Sequence, residues 1–224
     1  MGLISAEDYG RAVDIPNVKG ETLPAGRALE GWEIDALFRE CSADRNLDGN
    51  LTPAGRRDGA LLAVLRLGGL RREEVAALDL ADYDPGTGAL KVRGKGRKER
   101  MAYIQNAVQW MAVWLEVRGN GSGALFNPVN KGGAILYDQR MSAQAVYNIL
   151  KKRGDQAGLR DFSPHDLRRT FIGDLLDAGA DMSVAQKLAG HASPSTTGRY
   201  DRRPEEAKRQ AAGRLYVPGP DATY

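Results

Sequence analysis

One stretch constrains the fold more than any other: "TPAGRRDGALLAVLRLGGL", residues 52–70. Thr52 followed by Pro53 marks a helix start. A threonine hydroxyl caps backbone N–H groups of the first turn, and proline lacks an N–H that would go unpaired there. Leu61, Leu62, Leu65 and their neighbours then make the helix strongly apolar. A helix of that composition belongs in the centre of a core rather than on a surface. Gly68-Gly69 ends it, and "RREEVAAL" opens a second, short helix after a sharp turn. The remaining elements have to pack around this central rod.

Hydrophobic periodicity supplies those elements. "WEIDALFREC" places Ile34, Leu37, Phe38 and Cys41 at i, i+3, i+4 and i+7, which is one helical face. "DPGTG" is a turn. "ALKVRG" and "ERMAYI" alternate as strands do, with "GKGRK" as the hairpin loop. "NAVQWMAVWLEVRG" reads as a helix capped by Asn106 and stopped by Gly119. "SAQAVYNILKKRGDQAG" reads as a helix with Ala145 and Ile149 on its inner face. "SPHDLRRTFIGDLLDAG" has Ser163 as its N-cap, Pro164 at its first position, and an apolar stripe of Leu167, Phe171 and Leu175. "SVAQKLAG" is a short helix closed by Gly190. A further helix restarts through Ser193 and Pro194, and "RPEEAKRQAAGRL" forms a polar one. No internal repeat is visible. The expected fold is mostly α with a small antiparallel β-sheet, an α+β arrangement.

Composition narrows the class. With 224 residues the chain can bury one good core but not two large ones. Its 42% hydrophobic and 27% charged residues fit a soluble globular protein. No apolar run approaches the ~18 residues of a membrane span. The N-terminus lacks the basic and apolar regions of a signal peptide. Cys41 is the single cysteine, so no internal disulfide forms, and its place in an amphipathic pattern makes it a buried small hydrophobe. These features point to a reducing, intracellular setting. The Asp and Asn residues at 44, 46, 48 and 50 resemble a calcium loop only in part, because the closing bidentate glutamate is missing.

The net charge of +3 establishes no partner by itself. Its distribution says more: "KVRGKGRKER" holds six basic residues and one acidic residue. Such a run is either a solvated face or a footprint for a phosphate backbone. His165 and Arg168 lie at i and i+3 on one helical face, in the first turn of their helix. There they suit a bound phosphate, or they are a capping residue and a surface arginine. His191, the second of only two histidines, follows a helix-ending glycine. Arg71 follows "GGL" at another helix junction, and Lys95 stands between two glycines at the hairpin tip. Nucleotide-loop, CxxC, HExxH and GxSxG motifs are all missing from the sequence. Tyr200 and the other tyrosines remain as nucleophile candidates. A phenol has an ordinary pKa near ~10 and needs nearby cations and a base to react at neutral pH. Arg199, Arg202 and Arg203 supply cations around Tyr200.

Taken in order, Arg71, Lys95, His165-x-x-Arg168, His191 and Tyr200 resemble the active site of the tyrosine recombinase, or phage integrase, family. "GGLRREEVAALDLADYD" is similar to that family's first arginine motif, and "VRGKGRKERMAYI" to its lysine-bearing hairpin. "SPHDLRRTF" is similar to its His-x-x-Arg box, and "LAGHASPSTTGRY" to its closing tyrosine motif. The resemblance implies the tyrosine recombinase catalytic-domain fold over residues 29–203. Residues 1–28 would be a linker or N-terminal extension, and 204–224 a C-terminal helix and tail. The family's usual N-terminal core-binding domain has no counterpart in this reading. Ala189 stands where leucine is common, and Asp201-Arg202 where Thr-His is usual.

By the same resemblance, the activity is cleavage and rejoining of DNA through a 3′-phosphotyrosine, with no metal or cofactor. Tyr200 is the nucleophile, and Arg71 and Arg168 hold the non-bridging oxygens. Lys95 protonates the leaving 5′-oxygen, His165 handles the phenolic proton, and His191 hydrogen-bonds the phosphate. Arg93, Arg97, Lys98 and Arg169 are expected to contact the DNA backbone. The implied partners are double-stranded DNA bearing a specific recombination site and further copies of the chain in a tetramer on DNA, with no membrane and no small-molecule substrate. The implied location is the bacterial cytoplasm, on the nucleoid during action. The alternatives are relaxation or resolution of DNA in the manner of a type IB topoisomerase, and a DNA-binding module without catalysis.

Overall fold

In the computed structural model, residues 26–94 and 98–190 are described. Helix α2 (Pro53–Gly68) runs through the core, as its composition requires. Thr52 Oγ1 accepts the Gly55 N–H at 3.0 Å, so the cap forms as expected. Every residue from Ala60 to Leu65 is at most 2% exposed. Each leucine taken out of water there contributes roughly 1.5–3 kcal/mol. Helix α1 (Gly31–Ala43) lays Leu37 and Cys41 into this core, flanked by Ile34 and Phe38. Burial pushes the Cys41 thiol up to about 12, so it packs as a hydrophobe.

The short helix α3 (Arg72–Ala76) follows α2. Three strands come next: β1 (Tyr83–Asp84), β2 (Ala89–Arg93) and β3 (Glu99–Tyr103), antiparallel in the order β1-β2-β3. The β2–β3 hairpin was legible in the alternation, whereas two-residue β1 is too short to show any period. Leu90 pairs with Ala102 and Val92 with Arg100 on the inner face. Met101 and Tyr103 face out.

Helix α4 (Val108–Arg118) and helix α5 (Ala143–Gln156) are joined by a long irregular segment. Asn106 does not cap α4. It lies in a 3-10 turn, Gln105–Ala107, and Ala107 is the residue before the helix. Ile104 and Ala107 are both buried, so core anchoring at these two points sets where the helix begins. On α5, Ser142 Oγ accepts the Ala145 N–H, and the buried stripe is Val146, Leu150 and Arg153. Ala145 and Ile149 flank that stripe. Helix α6 (Pro164–Asp177) and helix α7 (Met182–Ala189) close a second, smaller core of Phe171, Ile172, Leu176, Ala185 and Ala189.

A buried ionic cluster ties α1, α2 and α5 together. Arg153 Nε donates to Asp58 at 2.9 Å, and its Nη2 donates to Asp44 at 2.5 Å. Arg57 pairs with the same Asp58 at 2.7 Å. Burial pushes the Asp44 carboxyl up, but hydrogen bonds from Arg153 and Thr52 outweigh it and hold the group below its ordinary range. Within the Asp/Asn run at 44–50, Asp44 is tied to Arg153 and Thr52, and Asn46 Oδ1 closes the loop on the Asp48 and Asn50 N–H groups. Among the described residues, no helix is long and apolar enough to cross a membrane. Residues 1–25, the helix start at Ser193-Pro194 and the segment 204–224 lie outside the described residues.

Candidate active site

Arg71 owes its position to the end of α2. Gly69 has φ +56°, a left-handed turn, and a Cβ there would lie 2.2 Å from the Phe171 ring. Backbone conformation and close packing therefore both require glycine. The chain swings around this turn and makes Arg71 the residue before α3. Buried Glu74 accepts the Arg71 backbone N–H at 3.0 Å and Arg71 Nη1 at 2.8 Å. The same carboxylate accepts Arg100 Nη2 at 3.0 Å. The Arg71 side chain is 45% exposed, so one end of the guanidinium is anchored while the residue faces solvent.

His165 and Arg168 are presented by the start of α6. Asp166 accepts the Ser163 N–H and hydroxyl, each at 2.8 Å, and also the Arg27 N–H at 2.9 Å. Ser163 and Pro164 thus open the helix where the sequence placed them, and His165 falls in its first turn. Arg168 is buried and follows three residues later. It donates to the Gly69 carbonyl and, at 2.5 Å, to the Ala189 carbonyl. One side chain thereby joins the ends of α2 and α7 to α6.

These residues converge. A cleft of about 270 Å³ is lined by Leu70, Arg71, Arg72, Tyr147, His165 and Arg168, among others. The Arg72 guanidinium lies over the Tyr147 ring at 5.8 Å. Three arginines face one carboxylate, Glu73, and Glu73 is itself paired with Arg72 at 2.8 Å. The cleft is cationic. The His165 pKa is lowered, first by the packed protein around the ring and then by Arg168, Arg169 and Arg71; Asp166 opposes them. Its outer edge is open to solvent, yet the neutral imidazole is favoured at neutral pH. Guanidinium forks and a neutral base beside a helix N-terminus can hold a phosphate oxygen and accept a proton from a hydroxyl.

The structure brings together Arg71, His165 and Arg168. Lys95, Arg97, His191 and Tyr200 lie outside the described residues. Arg93 is gripped by Asp82 through two hydrogen bonds of 2.6 Å. Lys98 is exposed beside the hairpin loop, and Arg169 Nη1 donates to the Gly26 carbonyl at 2.7 Å. Sequence reasoning missed Glu74, Arg100 and Tyr147. Glu74 stands three residues after Arg71, a capping position that could have drawn notice. Arg100 is an arginine in phase with Ala102 and Ile104 on the strand's apolar face.

Fold and cleft together define a class: a mostly helical domain with a small hairpin sheet that converges arginines and a histidine from helix starts. Within that class, the chain matches the model of the phage integrase family over residues 27–206, and it belongs to that family. Tyrosine recombinase XerD of Pseudomonas aeruginosa is 35% identical over 202 residues, covering 89% of this chain and 63% of that protein. This chain therefore spans less than two thirds of that relative's length. The crystal structure of XerA recombinase superimposes with a TM-score of 0.66 at 25% identity, covering 94% of this chain and 74% of that one. XerH recombinase, captured on its difH substrate before cleavage, has a TM-score of 0.64 at 21% identity, covering 88% of this chain and 56% of that one, and shares the fold. The fold is that of the tyrosine recombinase catalytic domain.

Proposed function

We propose that this chain is the catalytic part of a site-specific DNA recombinase that cuts and rejoins strands through a 3′-phosphotyrosine. The observation that carries this reading is the meeting of Arg71, His165 and Arg168 in one cationic cleft. In the proposed step, the Tyr200 oxygen attacks the scissile phosphorus, and the bond from phosphorus to the 5′-oxygen breaks. His165 takes the phenolic proton, and Lys95 gives a proton to the leaving 5′-oxygen. Arg71, Arg168 and His191 bind the oxygens on which charge gathers. A 5′-hydroxyl of another strand then attacks the phosphotyrosine, restores the phosphodiester and returns the proton to Tyr200. The energy of the broken bond stays in the covalent ester, so the cycle consumes no nucleotide.

The partner is double-stranded DNA with a specific site, and further copies of the chain assemble on that DNA as a tetramer. Lys98, Arg97, Arg93 and Arg169 contact the backbone around the cleft. Arg93 is held by Asp82, so its contribution is smaller than that of Lys98. Residues 29–203 form the catalytic domain, with 1–28 as an extension and 204–224 as a tail.

The test uses a pool of nicked duplexes of randomised sequence, in which the nick lets a short product escape and traps the adduct. The wild-type chain should form a protein–DNA adduct that survives denaturation, and Tyr200→Phe should form none. An adduct that persists in Tyr200→Phe, or none from the wild type across the pool, would overturn the reading. Strand exchange between two recovered sites, against relaxation of one supercoiled circle, separates recombinase from topoisomerase-like action.

A further inference from the structure

We infer that Arg100 is a positioning residue: it locks the hairpin strand β3 to the last turn of α7, the peptide from which His191 follows. The inference rests on the recombinase reading above and adds a residue to its machinery.

Arg100 sits on the inner face of β3, opposite Val92 and in phase with buried Ala102. Its side chain is 12% exposed. An apolar residue would suit that face without the desolvation that a buried guanidinium suffers. What Arg100 does instead is make two long-range bonds. Its Nε donates to the Leu188 carbonyl at 3.0 Å, and its Nη2 donates to Glu74 at 3.0 Å.

Both acceptors are strategic. Leu188 and Ala189 are the last residues of α7, where carbonyls lack partners within the helix and cations are favoured. Arg100 takes the first carbonyl and Arg168 takes the second. Gly190 then turns the chain at φ +66°, and a Cβ there would lie 3.0 Å from Arg100 Cδ and 3.1 Å from its Nε. Arg100 therefore packs closely against Gly190, the residue that directly precedes His191. At its other end, Glu74 holds Arg71. One side chain thus connects the strand that follows the Lys95 loop, the anchor of Arg71, and the turn before His191.

The competing role for Arg100 is a direct contact to a DNA phosphate. Its low exposure and its two protein acceptors argue against that role. The two roles predict different results from Arg100→Met and Arg100→Lys in the full chain. For positioning, Arg100→Met slows single-turnover adduct formation by about 10- to 100-fold, as a small misplacement of reacting groups does. Duplex affinity and its salt dependence stay as in the wild type, and the melting temperature falls, because buried Glu74 loses one of its two cations. Arg100→Lys does not rescue the rate, because an ammonium cannot span both acceptors in the fixed geometry of a guanidinium. Full rescue by lysine, or a salt slope reduced by about 0.9, would assign Arg100 to a phosphate instead.

A readout that needs no cleavage separates this inference from the recombinase reading. Hydrogen exchange at the amides of Leu188, Ala189 and Gly190 in DNA-free protein should quicken in Arg100→Met. Unchanged protection there overturns the positioning role, whether or not the wild type forms an adduct.

Discussion

Two arginine–carboxylate clusters in this molecule use the same chemistry to opposite ends. Around Arg153, two guanidiniums (Arg57 and Arg153) meet two carboxylates (Asp44 and Asp58), and three of the four are nearly sealed from solvent. Around Glu74, Arg71 and Arg100 share a single carboxylate, and Arg71 is left half open to the cleft. The first cluster is balanced and closed, so it can only hold α1, α2 and α5 together. The second has more cation than anion and one open side, so it can take an anion from outside. Counting arginines distinguishes nothing here. The ratio of partners and the access of solvent distinguish the closed cluster from the one that borders the candidate site.

The largest expected effect falls on the closed cluster. Arg153→Ala leaves Asp58 with Arg57 alone and Asp44 with Thr52 alone, and should cost about 3–5 kcal/mol of stability. For a chain of this size that lowers the melting temperature by roughly 6–20 °C. Adduct formation by the protein that remains folded should stay within about twofold. A variant that melts normally but cleaves poorly would reverse the assignment of this cluster.

Next comes the open cluster. Arg71→Ala should slow adduct formation by about 10², the equivalent of ~3 kcal/mol of transition-state stabilisation. Because Arg71 is half exposed, its pair with Glu74 should add less than about 1 kcal/mol to stability. Thermal melting and single-turnover kinetics on the same preparation measure both. Equal losses of stability and rate would erase the distinction between the clusters.

The smallest effect concerns pH. The folded-state pKa of His165 is lowered, so its neutral form prevails above the ordinary value of ~6.5. The contribution of neutral His165 to stability is therefore complete above that value and is lost as pH falls through the lowered pKa. A rate that depends on neutral His165 should be flat from about pH 7 to 8 and fall only below ~6.5. His165→Gln should lose that acid limb. An inflection above ~6.5 in the wild type would mean that the imidazole is stabilised as a cation, against the electrostatics of the cleft.

Much of this was legible beforehand, for identifiable reasons. The Thr52-Pro53 start, the apolar run and the Gly68-Gly69 stop are local signals, and each survives because it depends on backbone chemistry within one turn. The His165–Arg168 spacing likewise needs only helical geometry. Asn106 shows the limit: its capping chemistry is sound, yet burial of Ile104 and Ala107 moves the helix start past it. Strand β3 shows another. Alternation reveals two faces, but only packing tells that Arg100 faces in while Met101 and Tyr103 face out. Glu74's bond to Arg71 is local, but its bond to Arg100 was hidden because Arg100 lies on β3, 26 residues further on.

The sequence alone determined where most of the described helices and the β2–β3 strands form and which charged residues stand at their ends, because capping, turn chemistry and periodicity act over a few residues. Only the tertiary structure decided which of those charges are sealed in a buried cluster and which converge on one cleft. That outcome depends on contacts between distant segments, and on how far each contact takes a charge out of water.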